Sequence, residues 1–237
     1  MRLSFQYGET RIEFDVVFRK RKTMTIKVEP PAQITAIVPL KTSQRVIIES
    51  VGSKAPWIVK KLEYLKQFGC PAGPRQYVNG ETFMLLGNTY PLQVEADSSL
   101  TKMRIGITED VLLVNSPVQD KEAIKKLVEL WYRQEAKLLI NSRIKFYQPQ
   151  IPIVPNRVVI KEQKTRWGSC SSKHNLNYNF KTVMAPLPVL DYIVVHEMCH
   201  LVHLNHSREF WNLVESIIPE YRQHKEWLKM NGASFYL

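Results

Sequence analysis

A chain of 237 residues with 44% hydrophobic and 10% aromatic content is long enough to bury a core and too apolar to stay disordered. Its 33 Lys+Arg against 22 Asp+Glu leave a net charge of +11, which favours an acidic or polyanionic partner without choosing one. Cys70, Cys170 and Cys199 are too few and too scattered for a disulfide framework, no run is long enough to cross a bilayer, and the opening residues lack a signal-like apolar stretch, so the expectation is a cytoplasmic protein with free thiols.

Residues 1–40 read as strands at RIEFDVVF, TMTIKVE and QITAIVP, an antiparallel meander interrupted by the run Arg19-Lys20-Arg21-Lys22, read as a solvated hairpin tip, and by Pro30-Pro31. Thr42 or Ser43 opens a helical pattern through Val46, Ile47, Val51, Trp57, Ile58, Leu62 and Leu65; Pro56 should break or kink it, and Gly69 and Pro71 stop it. A Pro/Gly-rich loop, CPAGPRQYVNG, leads to short strands at TFMLLG, TYPLQVEA, KMRIGIT and VLLVN, with turn signals at Gly87-Asn88 and Asp97-Ser98-Ser99. KEAIKKLVELWYRQEAKLLINSRIKFY then predicts one long amphipathic helix, with Ile124, Leu127, Leu130, Trp131, Leu138 and Ile144 in register.

After it come a strand at RVVIKEQ, a polar loop around TRWGSCSSKHN, a short strand at LNYNF, and helices at VLDYIVVHEMCHLVH, REFWNLVESIIP and YRQHKEWLKM. No internal repeat or low-complexity tract is visible. The expected fold class is α+β: a β-rich N-terminal region with one helical segment over 1–116, followed by a catalytic domain over 117–237 with a long backing helix, a small sheet and an active-site helix.

The chemistry is carried by His196-Glu197-Met198-Cys199-His200. On a helix, residues four apart are rotated by about 40° and separated by about 6 Å, so both imidazoles reach one cation while Glu197 stands beside it as a general base. With 6 His and 17 Glu in the chain, chance placement yields His-Glu-x-x-His about 0.01 times. The helix is read as amphipathic, Ile193, Val194, Met198 and Leu201 packing inward and the histidines sharing the other face. Cys199 reads as core, and Asp191 as a residue that polarises the helix start or bonds a ligand histidine.

A catalytic zinc takes three protein ligands and leaves one position for water. His206, six residues after His200, has the spacing at which the chain turns back under the metal; His203, and Glu215 or Glu209 on the following helix, are the rivals. Ser207 favours His206, because a serine before an apolar helical run is a helix start and puts His206 in the loop between two helices. Where other enzymes of this spacing turn on a glycine, His203 stands here, and Asn205 is expected to supply a left-handed residue instead.

Taken together, Thr165-Arg166-Trp167-Gly168-Ser169-Cys170-Ser171, the helix Leu190 to Leu201, and Asn205-His206-Ser207 with Phe210-Trp211 resemble the YgjP-like metal-dependent hydrolases, zincin peptidases related to SprT-like and WLM-type proteases. Val38-Pro39 and Lys54-Ala55-Pro56-Trp57-Ile58 extend the resemblance over nearly the full chain. It implies a zincin-like catalytic domain, zinc on His196, His200 and His206, Glu197 as catalytic acid/base, and Arg166 to Ser169 near the cleft; a loop in which Trp167 fills the core and Gly168 makes a turn explains that segment equally well.

The function expected is that of a zinc-dependent metallopeptidase cleaving peptide bonds with a zinc-activated water. Arg166, His174, Tyr178 or His224 are candidates to stabilise the oxyanion, and RVVIKEQ or LNYNF to pair with an extended substrate. The alternatives are a DNA-associated protease using its basic surface on nucleic acid, and a non-catalytic zinc-stabilised interaction module.

Overall fold

The computed structural model describes residues 1–29, 32–67, 75–118, 120–163, 166–235 and 237. Pro30-Pro31, the helix stop at Gly69 and Pro71, Cys70 and Thr165 therefore lie outside the described residues. The chain adopts the α+β class expected of it, and it folds into two compact units, Met1–Pro74 with Met230–Tyr236, and Arg75–Lys229. The strands of residues 82–116 thus share a unit with the helices that follow, whereas the composition of the sequence changes at 116/117.

The first unit holds β1 (Arg2–Tyr7), β2 (Thr10–Arg19), β3 (Thr25–Glu29) and β4 (Gln33–Pro39) in the order β1-β2-β4-β3. β2 and β4 are parallel, so the sheet is not a meander; Arg19 ends β2, and Lys20 to Lys22 belong to a crossover instead of a hairpin tip. Arg21 ties that connection down by donating to Thr25 Oγ1 at 2.6 Å. Ile12, Phe14 and Val16 alternate into a core closed by Ile47 and Val51 of α1 (Gln44–Gly52) and Ile58 of α2 (Ala55–Gln67). Ser43 caps α1, and Pro56, which has no N–H to donate, sits in the first turn of α2, so the helical pattern breaks in two there. The buried Lys61 ammonium donates to the Met230 carbonyl.

In the second unit, β5 (Thr82–Leu85), β6 (Asn88–Ala96), β7 (Arg104–Thr108) and β8 (Val111–Ser116) take the order β5-β6-β8-β7, with β6 and β8 parallel. Both four-stranded sheets therefore share one strand order and one set of directions, a repeat of topology that the sequence does not display as a repeat of residues. The β5–β6 turn runs through Leu86 and Gly87 at φ 50° and 83°, the left-handed pair that a two-residue hairpin requires. Its N–H groups donate to Val183 and Met184, and a Cβ on Gly87 would stand 2.9 Å from Pro186 Cγ, so the hairpin tip is seated on the entry to the motif helix.

The long helix α3 (Lys121–Tyr147) has the predicted bounds, with Asp120 as its cap. It buries Ile124, Val128, Trp131, Tyr132, Ala136, Ile140 and Ile144; Leu130 and Leu138, expected on that stripe, fall outside it and are 63% and 60% exposed. Tyr132 donates to the Met84 carbonyl at 2.7 Å and so joins the second sheet to α3. Beyond α3 a three-stranded sheet forms in the order β10-β11-β9, from β9 (Arg157–Lys161), β10 (Gly168–Cys170) and β11 (Asn175–Asn179). β10 lies inside the stretch read as a polar loop, and β11, read as a possible edge, is central. The chain then closes with α4 (Leu187–Cys199), α5 (Arg208–Ile217) and α6 (Tyr221–Asn231). Among the described residues no helix is long and apolar enough to cross a membrane.

Candidate metal centre

α4 starts one residue after Pro186, and its residues from Val189 to Val195 are all buried. It is a helix enclosed on nearly every face, not the amphipathic helix expected, and His196 is the least covered residue of its last turns. Its orientation is pinned at two points. Tyr178 of β11 donates to the Val194 carbonyl at 3.1 Å, and Asp191 receives Arg143 Nε at 2.6 Å, Arg143 Nη2 at 2.9 Å and the Tyr147 hydroxyl at 3.1 Å, all from α3. Asp191 therefore neither sits in the first turn nor bonds a histidine, as the sequence suggested; it clamps the motif helix to the backing helix through a bidentate pair. Cys199 is buried in the core, and burial pushes its thiol up to about 12.

His196, His200 and His206 converge: their ligand-capable nitrogens all lie within 4.8 Å of one another, and Nε2 of His206 stands 3.1 Å from Nε2 of His196. His200, the C-cap of α4, is 8% exposed and donates Nδ1–H to the His203 carbonyl at 2.9 Å, which turns its Nε2 lone pair toward the other two rings. His206 sits in the α4–α5 loop, immediately before Ser207, whose side chain accepts from the Phe210 N–H and starts α5. Neither His203 nor Asn205 has a left-handed backbone; Asn205 Oδ1 instead accepts the Ser207 N–H at 3.2 Å, an Asx turn, and this corrects the expectation for the bend.

Aromatic rings hold the three imidazoles in place. Phe210 stacks on His200 with centroids 4.4 Å apart, and Trp211 stacks on His206 at 5.5 Å and 22°. Burial, reinforced by the neighbouring imidazoles and Lys225, pushes His196 down to about 3, and the same causes lower His206, so at neutral pH both rings are uncharged, the form that binds a cation. The Nδ1 of His196 is buried and has no hydrogen-bond partner among the described residues.

Glu197 points from α4 toward β10, is 7% exposed, and accepts no hydrogen bond among the described residues. Burial pushes its carboxyl up to about 8, with the charge of Arg166 acting in the opposite direction. The strand opposite is shaped to it. A Cβ on Gly168 would meet Glu197 Cγ at 2.5 Å, Oε1 at 2.7 Å and Cδ at 2.8 Å, so only glycine leaves this carboxylate its position. Gly168 thus has a role that neither reading of the sequence gave it: it is the bare patch of an edge strand against which the glutamate lies.

The rivals for the third ligand lie outside the histidine cluster. Glu215 pairs with Arg222 at 2.5 Å, Glu209 bonds Ser207 at the start of α5, and His203 offers its carbonyl to His200. Among the oxyanion candidates, Tyr178 is fully buried and its hydroxyl is spent on Val194, while His174 lies in the β10–β11 turn at φ 54°. Of the other two, Arg166 is exposed with its charge reaching Glu197, and His224 stands on α6.

These residues fit a divalent cation. With metal–nitrogen bonds of about 2.0–2.1 Å, tetrahedral ligand atoms lie about 3.3 Å apart. The His196–His206 separation of 3.1 Å is close to that value, and two neutral imidazoles facing each other with a third beside them are otherwise crowded acceptors.

Residues 22–231 match the YgjP-like family, described as a metallopeptidase domain. Among solved structures, the chain is similar to the metallopeptidase zymogen of Pyrococcus abyssi abylysin, with 20% identity over 39% of this chain and 90% of that one and a TM-score of 0.33. No curated protein matches.

Proposed function

We infer the function from the fact that the chain belongs to the YgjP-like family: it is a metal-dependent peptidase acting on peptide or protein substrates, and its metal is zinc, held by His196, His200 and His206, with Glu197 as the general base. The observation that carries this reading is the convergence of three imidazoles within 4.8 Å beside a buried carboxylate. An all-imidazole donor set suits zinc, which when bound supplies Lewis acidity toward the scissile carbonyl and lowers the pKa of water.

The protein supplies the proton traffic and the alignment. Glu197, buried and free of hydrogen-bond donors, titrates lower once a dication stands beside it, so it accepts the proton of the attacking water and passes it to the leaving amine. His200 is kept in one tautomer by the His203 carbonyl, and the Phe210 and Trp211 rings restrict His200 and His206 to their observed planes. β10 leaves an edge beside Glu197, where an extended peptide can add as a further strand. β9, the other edge, keeps that possibility as well, but it is β10 that touches the carboxylate.

Metal analysis of the purified protein combined with an unbiased peptide-library digest tests this. One equivalent of zinc, lost in His196→Ala and His200→Ala, and cleavage abolished in Glu197→Gln with zinc retained, are expected. Unchanged cleavage by Glu197→Gln removes the general-base role, and stoichiometric zinc in both histidine variants removes the site.

A further inference from the structure

Two cations flank this centre and neither is neutralised. Arg166 is exposed, lies two residues before Gly168, and is held by its carbonyl, which accepts from Asn179 Nδ2 at 3.4 Å; its charge reaches Glu197. Lys225 of α6 is exposed, with its ammonium 4.2 Å from the centroid of the Trp211 ring that stacks on His206. A ring face orients an ammonium without cancelling its charge, so Lys225 remains available to an anion. Its field is felt at both His196 and His206.

Neighbouring charges behave differently. Arg222 pairs with Glu215, Lys229 with Glu226, Lys181 with Glu162 and Arg143 with Asp191, whereas among the described residues neither Arg166 nor Lys225 has a carboxylate within ion-pair distance. Glu197, the carboxylate of the site itself, is buried. Four of the region's carboxylates are thus committed to other cations and Glu209 to the start of α5, while the charge of Arg166 reaches Glu197 and Lys225 lies over the ring that stacks on His206. A substrate entering between them meets uncompensated positive charge on both, in a chain that already carries +11.

We propose that the site selects acidic polypeptide segments, with Arg166 and Lys225 as separate recognition points for Asp or Glu side chains on either flank of the scissile bond. The proposal rests on the peptidase reading above for the bond cleaved, but not for the charge preference, which binding alone reports. Nucleic acid also answers to positive charge, but the cations here are two isolated groups bracketing a carboxylate, not a stripe that tracks a phosphate backbone.

The test uses the full-length, zinc-reconstituted protein and fluorogenic peptides whose flanking residues are acidic, neutral or basic, with kcat/KM measured at low and high salt. Acidic flanks are expected to exceed neutral ones by about 5-fold per side, an advantage that fades with salt. Arg166→Gln and Lys225→Met should each remove the preference at a different flank, and Arg166→Glu and Lys225→Glu should invert it; Lys137→Glu, on the exposed face of α3, controls for net charge and should leave it intact. In parallel, Glu197→Gln should bind a labelled acidic peptide more tightly than a basic one by fluorescence anisotropy, and the Lys225→Glu change should abolish that difference.

Equal kcat/KM for neutral and acidic flanks, or a preference that survives both neutral substitutions, overturns the proposal. A single-stranded oligonucleotide that displaces the acidic peptide at tenfold lower concentration, and that Arg166→Gln and Lys225→Met release, overturns it in favour of a nucleic-acid site. If no peptide is cleaved, the peptidase reading fails, and the anisotropy measurement still decides the charge preference.

Discussion

Replacing Gly168 with alanine isolates the alignment of Glu197, the proposed general base, from everything else in the protein. The new Cβ would lie 2.5 Å from Glu197 Cγ and 2.7 Å from Oε1, while carbon contacts are comfortable only from about 3.5 Å, so the carboxylate must retreat by roughly 1 Å. The atoms that give way are those of a side chain, not backbone, and the backbone of Gly168 is not left-handed, so alanine fits the strand itself. Its effect on folding is accordingly small: about 0.4–1 kcal/mol gained from a stiffer unfolded chain, set against the displacement of one carboxylate. Catalysis is less forgiving, because a misplacement of about 1 Å costs about 100-fold, or about 2.7 kcal/mol of transition-state stabilisation. Steady-state kcat/KM on a peptide recovered from the library digest, zinc content by mass spectrometry and thermal unfolding together separate the two effects. Full activity in Gly168→Ala would refute the argument, and so would a loss of activity that merely follows a loss of zinc or of folded protein.

Glu197→Gln should keep zinc and lose about 100-fold to 10,000-fold in kcat, read by single-turnover cleavage. His206→Ala should weaken zinc by more than about 100-fold in a chelator competition, since the removed imidazole is one of three and not an outlying partner. Asp191→Ala strands the largely covered Arg143 guanidinium and should destabilise the protein by about 3 kcal/mol in urea, whereas Arg143→Met with Asp191→Leu should recover most of that loss. The metal-free protein should be most stable between about pH 4.5 and 6.5. His196, held down to about 3, gives the unfolded state the extra proton below 6.5, so its contribution falls as the pH drops; Glu197, held up to about 8, gives the folded state the extra proton above 4.5, so its contribution falls as the pH rises, and the two offset each other only in the overlap. Thermal melts of the chelator-treated protein across pH 3–9 check this, and a maximum above pH 8 would contradict it.

The motif helix and α3 were legible because both are decided locally. A cap at Asp120, strong helix formers and a 3.6-residue apolar period fix α3 whatever surrounds it, and the four-residue separation of His196 and His200 has the same meaning in any helix. The Asx turn at Asn205, with Ser207 as the next cap, is local as well, and only its backbone class was misjudged. Sheet order was not legible, since the alternation in β2 and β4 marks which side faces the core and says nothing about which strand lies next to which; a parallel pair and an antiparallel one bury the same residues. Exposure along α3 failed for a different reason: Leu130 lies midway between the buried Val128 and Tyr132, and Leu138 midway between Ala136 and Ile140, and two residues at about 100° each carry a side chain to the far side of the helix, so apolar character alone did not place them on the stripe.

What the sequence could not contain are the contacts that make a metal-ligand motif into a working arrangement. Nothing in Arg166-Trp167-Gly168-Ser169 states that its last two residues join Cys170 in an edge strand, or that the glycine faces Glu197 from a different element; that requires β10 and α4 to be brought together, and the α4 clamp through Asp191, Arg143 and Tyr147 is formed across 44 to 48 residues of chain. Glycine is informative at this point because its side chain is absent, and an absence has no periodicity to read. The pairing of Glu197 with Gly168 is thus a property of distance between elements: the glutamate is named by a motif, and the residue that faces it is found only where a Cβ would not fit.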